Sequence, residues 1–362
     1  MAQKQRLARY PPSSTESQWL FSRRELDNSP SIRQGMDVKS ERRNRQRMIY
    51  ILWQLRNLYR QPQVIVNTAA MLLQRFYMRV SFQDYDKRHA VAAAYFLASK
   101  VEDKAVNSKV ITSILRSYMQ YEARLKNGQP VQPDWWRRWK IDEAEYAVPD
   151  FIKLRKDILH VEETMLRMEC FDMNLRHPHS FLGKVVDKVW NKANGREQVG
   201  ARILDCGFCI ANDTLAAPCC LLYRPQLIAA CCFAIACVML RQALPEKPLS
   251  VSEQRTLWEH DREEGEEETE ESAFQAEHYW LEWLEVGSDE LREPILFILD
   301  NWRLSQDSFV VEESDRIRPK VLSALEGIAH WPTPPASAGG ASARGRPASE
   351  TRTEGDVEMR DA

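Results

Sequence analysis

The segment HAVAAAYFLASKV, residues 89–101, decides the fold, because apolar or small side chains fill nearly every position and charge is confined to its ends. A helix that is apolar all round has no solvent face and belongs at the centre of a bundle. Ala90, Ala92, Ala93, Ala94 and Ala98 add little bulk, so neighbouring helices can pack close against this backbone at native density. The same design returns in PQLIAACCFAIACVMLR, residues 225–241. An offset of 138 places Ala92 over Ala230, Tyr95 over Phe233, Leu97 over Ile235, Ala98 over Ala236 and Val101 over Met239. The chain therefore reads as two copies of one helical unit, each built around an alanine-rich axle. Lys100 falls on Val238, so the first axle ends in a charge that the second lacks, and that charge needs a partner or an exit to solvent.

Outward from the axles the pattern stays helical, with almost no period-two alternation, and the fold class is all-α. In residues 40–60, Met48, Leu52, Leu55 and Leu58 form one apolar stripe, while Arg42, Arg43, Arg45, Gln46 and Gln54 are assigned to the opposite face. The next helix is expected over 63–80, with Ile65, Ala69, Leu72, Phe76 and Val80 inward and Pro62 at its start, where a missing N–H costs nothing. Three stretches depart from this scheme. Residues 126–150 are polar and carry Trp135, Trp136 and Trp139 among Arg137, Arg138 and Lys140. Aromatics among bases can stack on single-stranded nucleic acid, but one short cluster without a basic domain reads better as an insert whose tryptophans cap the bundle. Residues 260–271 are dense in Glu and read as a solvated loop. Residues 331–362, rich in Pro, Ala, Gly, Ser and charge, read as a disordered tail.

The 362 residues leave room for two domains and tails. A net charge of -2, with 28% charged and 44% hydrophobic residues, gives no electrostatic footprint for nucleic acid. With no run of 18 apolar residues and a polar, basic start at Met1–Tyr10, neither a membrane span nor a signal peptide is expected, and the protein is read as intracellular. All eight cysteines lie between Cys170 and Cys237 in mostly apolar surroundings and read as buried reduced thiols. Cys206 and Cys209 have C-x-x-C spacing, but the second pair of a zinc site is missing. No phosphate-binding loop, dinucleotide fingerprint, H-E-x-x-H, nucleophile elbow or kinase motif occurs. His177 and His179, flanking Pro178, read as structural histidines at a helix start. The expectation is a binding module with no catalytic residues, cofactor or metal.

Five segments then appear in a telling order: QWLFSRRELDNSPSIRQGMD (18–37), RNRQRMIYILWQL (43–55), NTAAMLLQRFYMRVSF (67–82), FLASKVEDK (96–104) and LHVEETMLRMECFDMNLRHPHSF (159–181). This ordered set resembles the transcription-associated cyclins, with the N-S-P-S and R-F-Y-M segments favouring the T and K types. The resemblance implies an entry segment (1–39) and two tandem five-helix cyclin boxes, the first at 40–175 and the second at 176–302. A C-terminal extension (303–330) precedes the tail. The insert at 126–150 and the acidic loop at about 259–272 are longer than usual for the family, and the second box matches more weakly than the first.

Family motifs place a kinase-binding lysine and glutamate at Lys100 and Glu162. Glu102 and Glu163 are additional candidates. A helix-one arginine that meets an aspartate on helix two falls at Arg47, with Gln74 in place of the aspartate. The implied function is that of a regulatory subunit, not an enzyme, which binds and activates a transcriptional cyclin-dependent kinase in the nucleus. It would do so by favouring the state in which the kinase's own lysine and C-helix glutamate are paired. The RNA polymerase II C-terminal domain or elongation factors would be the substrates. A cyclin C-like Mediator subunit, a cyclin L-like splicing cyclin and a TFIIB-like DNA-binding protein are the alternatives. No membrane partner and no sequence-specific nucleic-acid binding are expected.

Overall fold

The computed structural model describes residues 17–131, 140–190, 197–245, 280–303 and 308–329. Among them there are helices and turns but no strand. Two short helices, α1 (Arg23–Leu26) and α2 (Pro30–Arg33), lead into five long ones. These are α3 (Val38–Tyr59), α4 (Gln63–Phe76), α5 (Lys87–Val101), α6 (Ser108–Lys126) and α7 (Pro149–Met168). The second half contains α8 (Pro178–Val189), α9 (Glu197–Asp213), α10 (Cys219–Leu222), α11 (Pro225–Met239), α12 (Trp280–Trp283), α13 (Arg292–Arg303) and α14 (Ser308–Ala329). Among the described residues no helix is long and apolar enough to cross a membrane.

The two axles are present and equivalent. The α5 helix runs over 87–101 and α11 over 225–239, an offset of 138 at both ends. Asp86 starts α5 by accepting the backbone N–H of Arg88 at 2.7 Å. Ala90 to Ala94 and Ala98 are fully buried, and α5 packs against α3, α4, α6 and α7. The α11 helix packs in the same way against α8, α9, α13 and α14. Each axle thus carries its own core, one gathered around Leu72, Ala93 and Met165 and the other around Ala230, Phe233 and Leu299.

Several boundaries differ from the sequence reading. The α4 helix stops at Phe76 rather than Val80, because the chain turns there to stack Tyr77 on Phe82, ring centroids 3.7 Å apart. Residues 303–330, set apart in the sequence as an extension, include α14, whose Ile317, Val321 and Leu325 complete the second core. The entry segment joins both halves. Trp19 is buried, its indole N–H donates to Asp172 Oδ2 at 3.0 Å, and it covers the Arg75 guanidinium at 4.7 Å. Two residues on, the Phe21 N–H donates to Leu221 O at 2.7 Å, and Arg23 Nε donates to Glu293 at 3.0 Å. Trp135, Trp136, Trp139, the Glu-rich stretch at 260–271 and the tail at 331–362 lie outside the described residues.

The cysteines are free thiols, with Cys219, Cys231, Cys232 and Cys237 buried. Burial pushes their thiols up, and also that of the partly buried Cys220, to about 11, which favours the protonated form. Cys170 and Cys209 depart from the sequence reading because they are exposed. Cys170 follows α7 in a left-handed turn, φ 52°, that swings it out of the bundle.

Candidate functional site

The last turn of α5 reaches the edge of the first bundle, and there Lys100 finds both exits that its sequence position demanded. Its Nζ lies 2.6 Å from Glu162 Oε1 on α7 and 3.9 Å from the centroid of the Phe96 ring one turn back. The lysine side chain is 44% exposed while the glutamate is only 9% exposed. One donor of the ammonium is therefore used to hold a nearly buried carboxylate. The remaining donors stay at the surface on an aromatic platform, where they can bond a carbonyl or carboxylate of another protein. The face can grip and orient a partner.

The other four candidates do not join this pair. Glu163 points to solvent and meets Arg167 four residues on at 2.5 Å, an exposed helical pair of little energetic weight. Glu102 turns inward, where it accepts the Thr68 hydroxyl and lies 3.9 Å from His177 Nε2. Arg47 extends from α3 towards α6, donating to Glu122 at 2.8 Å and to the Tyr118 hydroxyl at 3.2 Å.

Gln74 does meet a helix-one arginine, but it is Arg45 and not Arg47. Arg45 Nη1 donates to Gln74 Oε1 at 2.7 Å and to its backbone carbonyl at 3.0 Å; Nη2 reaches Tyr77 O at 3.2 Å and Nε donates to Glu41 at 2.7 Å. Arg45 precedes Met48 by three residues and Leu52 by seven, so it lies on the buried stripe rather than on the solvent face to which the sequence reading assigned it. Position 47 is turned about 200° away from it. Gln74 in turn donates to Leu215 O at 2.9 Å, which links the arginine to the turn that joins the second half to the first core.

A polar joint that the sequence reading missed links α4 to the second half. His179 Nδ1 is 3.3 Å from Asn67 Nδ2, and its Nε2 is 3.0 Å from Asn212 Oδ1. His177 Nε2 is 2.9 Å from Thr68 Oγ1. Burial pushes His177 down to about 4 and also lowers His179, so both rings are neutral at neutral pH. The signal available in the sequence was the H-P-H triplet at 177–179 together with the polar N-T pair at 67–68 of an otherwise apolar helix. Among the described residues no group of three or more His, Cys, Asp or Glu is placed to hold a metal.

A family model, the cyclin N-terminal domain, matches residues 16–174, which contain α1 to α7 and the whole Lys100 face. Residues 16–174 are thus similar to a cyclin N-terminal domain. Its relatives include human Cyclin-T2, 24% identical over 291 residues, which are 80% of this chain and 35% of that protein. Cyclin pch1 of Schizosaccharomyces pombe is 27% identical over 226 residues, 62% of this chain and 59% of that protein. The chain thus spans 35% of the length of the first of these relatives and 59% of the second. Among solved structures, a chain of the yeast RNA Pol II CTD kinase CTDK-1 complex superposes with a TM-score of 0.50 at 16% identity, covering 80% of this chain and 74% of that one. That likeness shows a shared fold. Among the five long helices of the matched region, the axle is the third, and Lys100 and Glu162 sit on the third and fifth.

Proposed function

We propose that this chain is a cyclin regulatory subunit that docks on and activates a transcriptional cyclin-dependent kinase in the nucleus, promoting phosphorylation of the RNA polymerase II C-terminal domain and transcription elongation. The observation that carries the proposal is the Lys100–Glu162 pair. It is an ammonium held at 2.6 Å by a nearly buried carboxylate, yet nearly half exposed, at the outer end of a rigid axle. The relatives named as T-type cyclins and the fold shared with a CTD kinase complex support the same reading.

In this mechanism the cyclin supplies no reacting atom. It binds the active arrangement of the kinase better than the inactive one and shifts the population accordingly. The Glu162 carboxylate fixes the direction of Lys100, so the ammonium is already aimed before the kinase arrives and less freedom is lost on docking. The deciding experiment is co-purification and in vitro phosphorylation with Lys100→Glu. Loss of both kinase recovery and activity, with helical content unchanged, is the expected result. Full kinase recovery by the folded variant would remove the docking assignment.

A further inference from the structure

The Lys100 face is connected to the second half of the molecule by a directed chain of hydrogen bonds. Glu102 is the residue that closes α5, its N–H bonding Ala98 O at 3.0 Å. A carboxylate at this end of a helix is repelled by the helix dipole and needs a donor. Thr68, fully buried on α4, gives it one, the hydroxyl bonding Glu102 Oε1. That hydroxyl has a single proton, so the 2.9 Å contact between Thr68 Oγ1 and His177 Nε2 must run with the histidine donating. His177 is then the Nε2–H tautomer with a bare Nδ1, in agreement with Nδ1 being buried and without a hydrogen-bond partner. His177 is also the residue that precedes α8, the first helix of the second half.

Asn67, the neighbour of Thr68, does similar work towards α8, and Gln63 towards α9. It contacts His179, while Gln63 donates to both Asn67 at 2.9 Å and Asn212 at 3.2 Å. On this side the two halves are therefore set against one another by directional polar contacts. These fix an orientation more narrowly than apolar packing does, because they weaken steeply with misalignment.

Two residues along a helix turn about 200°, so Lys100 and Glu102 leave the last turn of α5 on nearly opposite sides. We propose that Thr68 and His177 are positioning residues for the docking face: they anchor the end of the axle from the side opposite Glu162 and so set where the Lys100 ammonium stands relative to the second half. This proposal deepens the kinase-docking reading and rests on it.

The test is a double-mutant cycle on the full chain, measuring the Kd for the isolated catalytic subunit of a transcriptional cyclin-dependent kinase by biolayer interferometry. Thr68→Val, which keeps the shape and removes the hydroxyl, is expected to weaken binding by about tenfold when Lys100 is present, and by less than about twofold in a Lys100→Met background. Thr68→Ser restores the hydroxyl and is expected to bind within about twofold of the parent. His177→Phe is measured alongside, so that the cycle can still be completed if Thr68→Val fails to fold. An equal loss in both backgrounds would mean a general structural role and would overturn the proposal, as would no loss at all. A parent chain that binds no kinase gives a different result, overturning the docking reading and this inference together.

Discussion

Arg45 and Gln74 meet through both the side chain and the backbone of the glutamine, at 2.7 and 3.0 Å, in a site where the arginine is 1% exposed. An amide thus takes the place that the family resemblance gave to an aspartate, and the charge balance comes instead from Glu41 on the same helix, 2.7 Å from Arg45 Nε. Removing the guanidinium strands that carboxylate in the core. Arg45→Ala is expected to destabilise the protein by about 3–5 kcal/mol. Arg45→Ala/Glu41→Ala, which leaves no buried charge behind, is expected to recover part of the loss. Urea unfolding followed by circular dichroism measures both, and a single variant within about 0.5 kcal/mol of the parent would contradict the assignment.

Charge reversal separates the internal value of the Lys100–Glu162 pair from its value to a partner. The lysine is 44% exposed, so Lys100→Glu is expected to cost stability only about 1 kcal/mol while abolishing kinase recovery. Lys100→Glu/Glu162→Lys restores an opposite-charge pair and with it most of the stability. It is expected not to restore kinase recovery, because the ammonium is no longer on the axle. Recovery of kinase binding by the swapped chain would show that only the pair, and not its direction, matters.

Glu169 is expected to make stability fall as pH rises from the acid range towards 8. It is fully buried, neither carboxyl oxygen has a hydrogen-bond partner, and Arg75 Nη1 stands 3.7 Å away. Burial outweighs the arginine and pushes the carboxyl up to about 8. The folded state therefore binds a proton that the unfolded state has already released. The stability this supplies is full below the ordinary glutamate range and is lost as pH rises towards 8, by at most about 1.4 kcal/mol per pH unit. The urea midpoint is expected to fall between pH 6 and pH 8 in the parent and to fall less in Glu169→Gln. Parallel profiles would refute this.

His177 acts at the other end of the scale. Its ring, pushed down to about 4, stays neutral in the fold while an unfolded histidine takes a proton near 6.5. This depressed group contributes stability above 6.5 that is lost as pH falls towards 4. His177→Gln keeps a donor for Thr68 and does not titrate, so its stability between pH 7 and pH 4.5 is expected to decline less than the parent's. An equal decline would place the acid sensitivity elsewhere.

The second half is closed by a tight approach. A Cβ on Gly200 would lie 2.9 Å from the Trp190 carbonyl oxygen and 2.9 Å from its Cβ, whereas one on Gly207 would meet only the side chain of Leu182, at 2.6 Å. A leucine tip can change rotamer more cheaply than a backbone carbonyl can move. Gly200→Ala is therefore expected to destabilise by about 1–3 kcal/mol and by more than Gly207→Ala. Differential scanning calorimetry of the two variants checks the order.

Both axles were legible in the sequence, because burial on every side leaves its mark in composition alone: residues 89–101 and 225–239 contain almost nothing that water would reward. The pairing of Lys100 with Glu162 was legible only through the ordered motifs that resemble the family, since nothing in spacing joins residues 62 positions apart. An arginine reads as a solvent residue unless its helical neighbours are weighed, and Met48 and Leu52 place Arg45 inward. Glu102 lies two residues from Lys100 in sequence and on the other side of the helix in space.

Sequence by itself determined which segments coil and which of their faces shun water, since both follow from contacts within a turn or two. The tertiary structure alone decided which polar groups answer one another, as in Arg45 with Gln74 across 29 residues and Thr68 with His177 across 109. It also placed α14 in the second core. The physical reason is that a buried charge or hydroxyl is satisfied by whichever donor or acceptor the packed helices bring within about 3 Å, and that distance is fixed by the assembled bundle rather than by any local pattern.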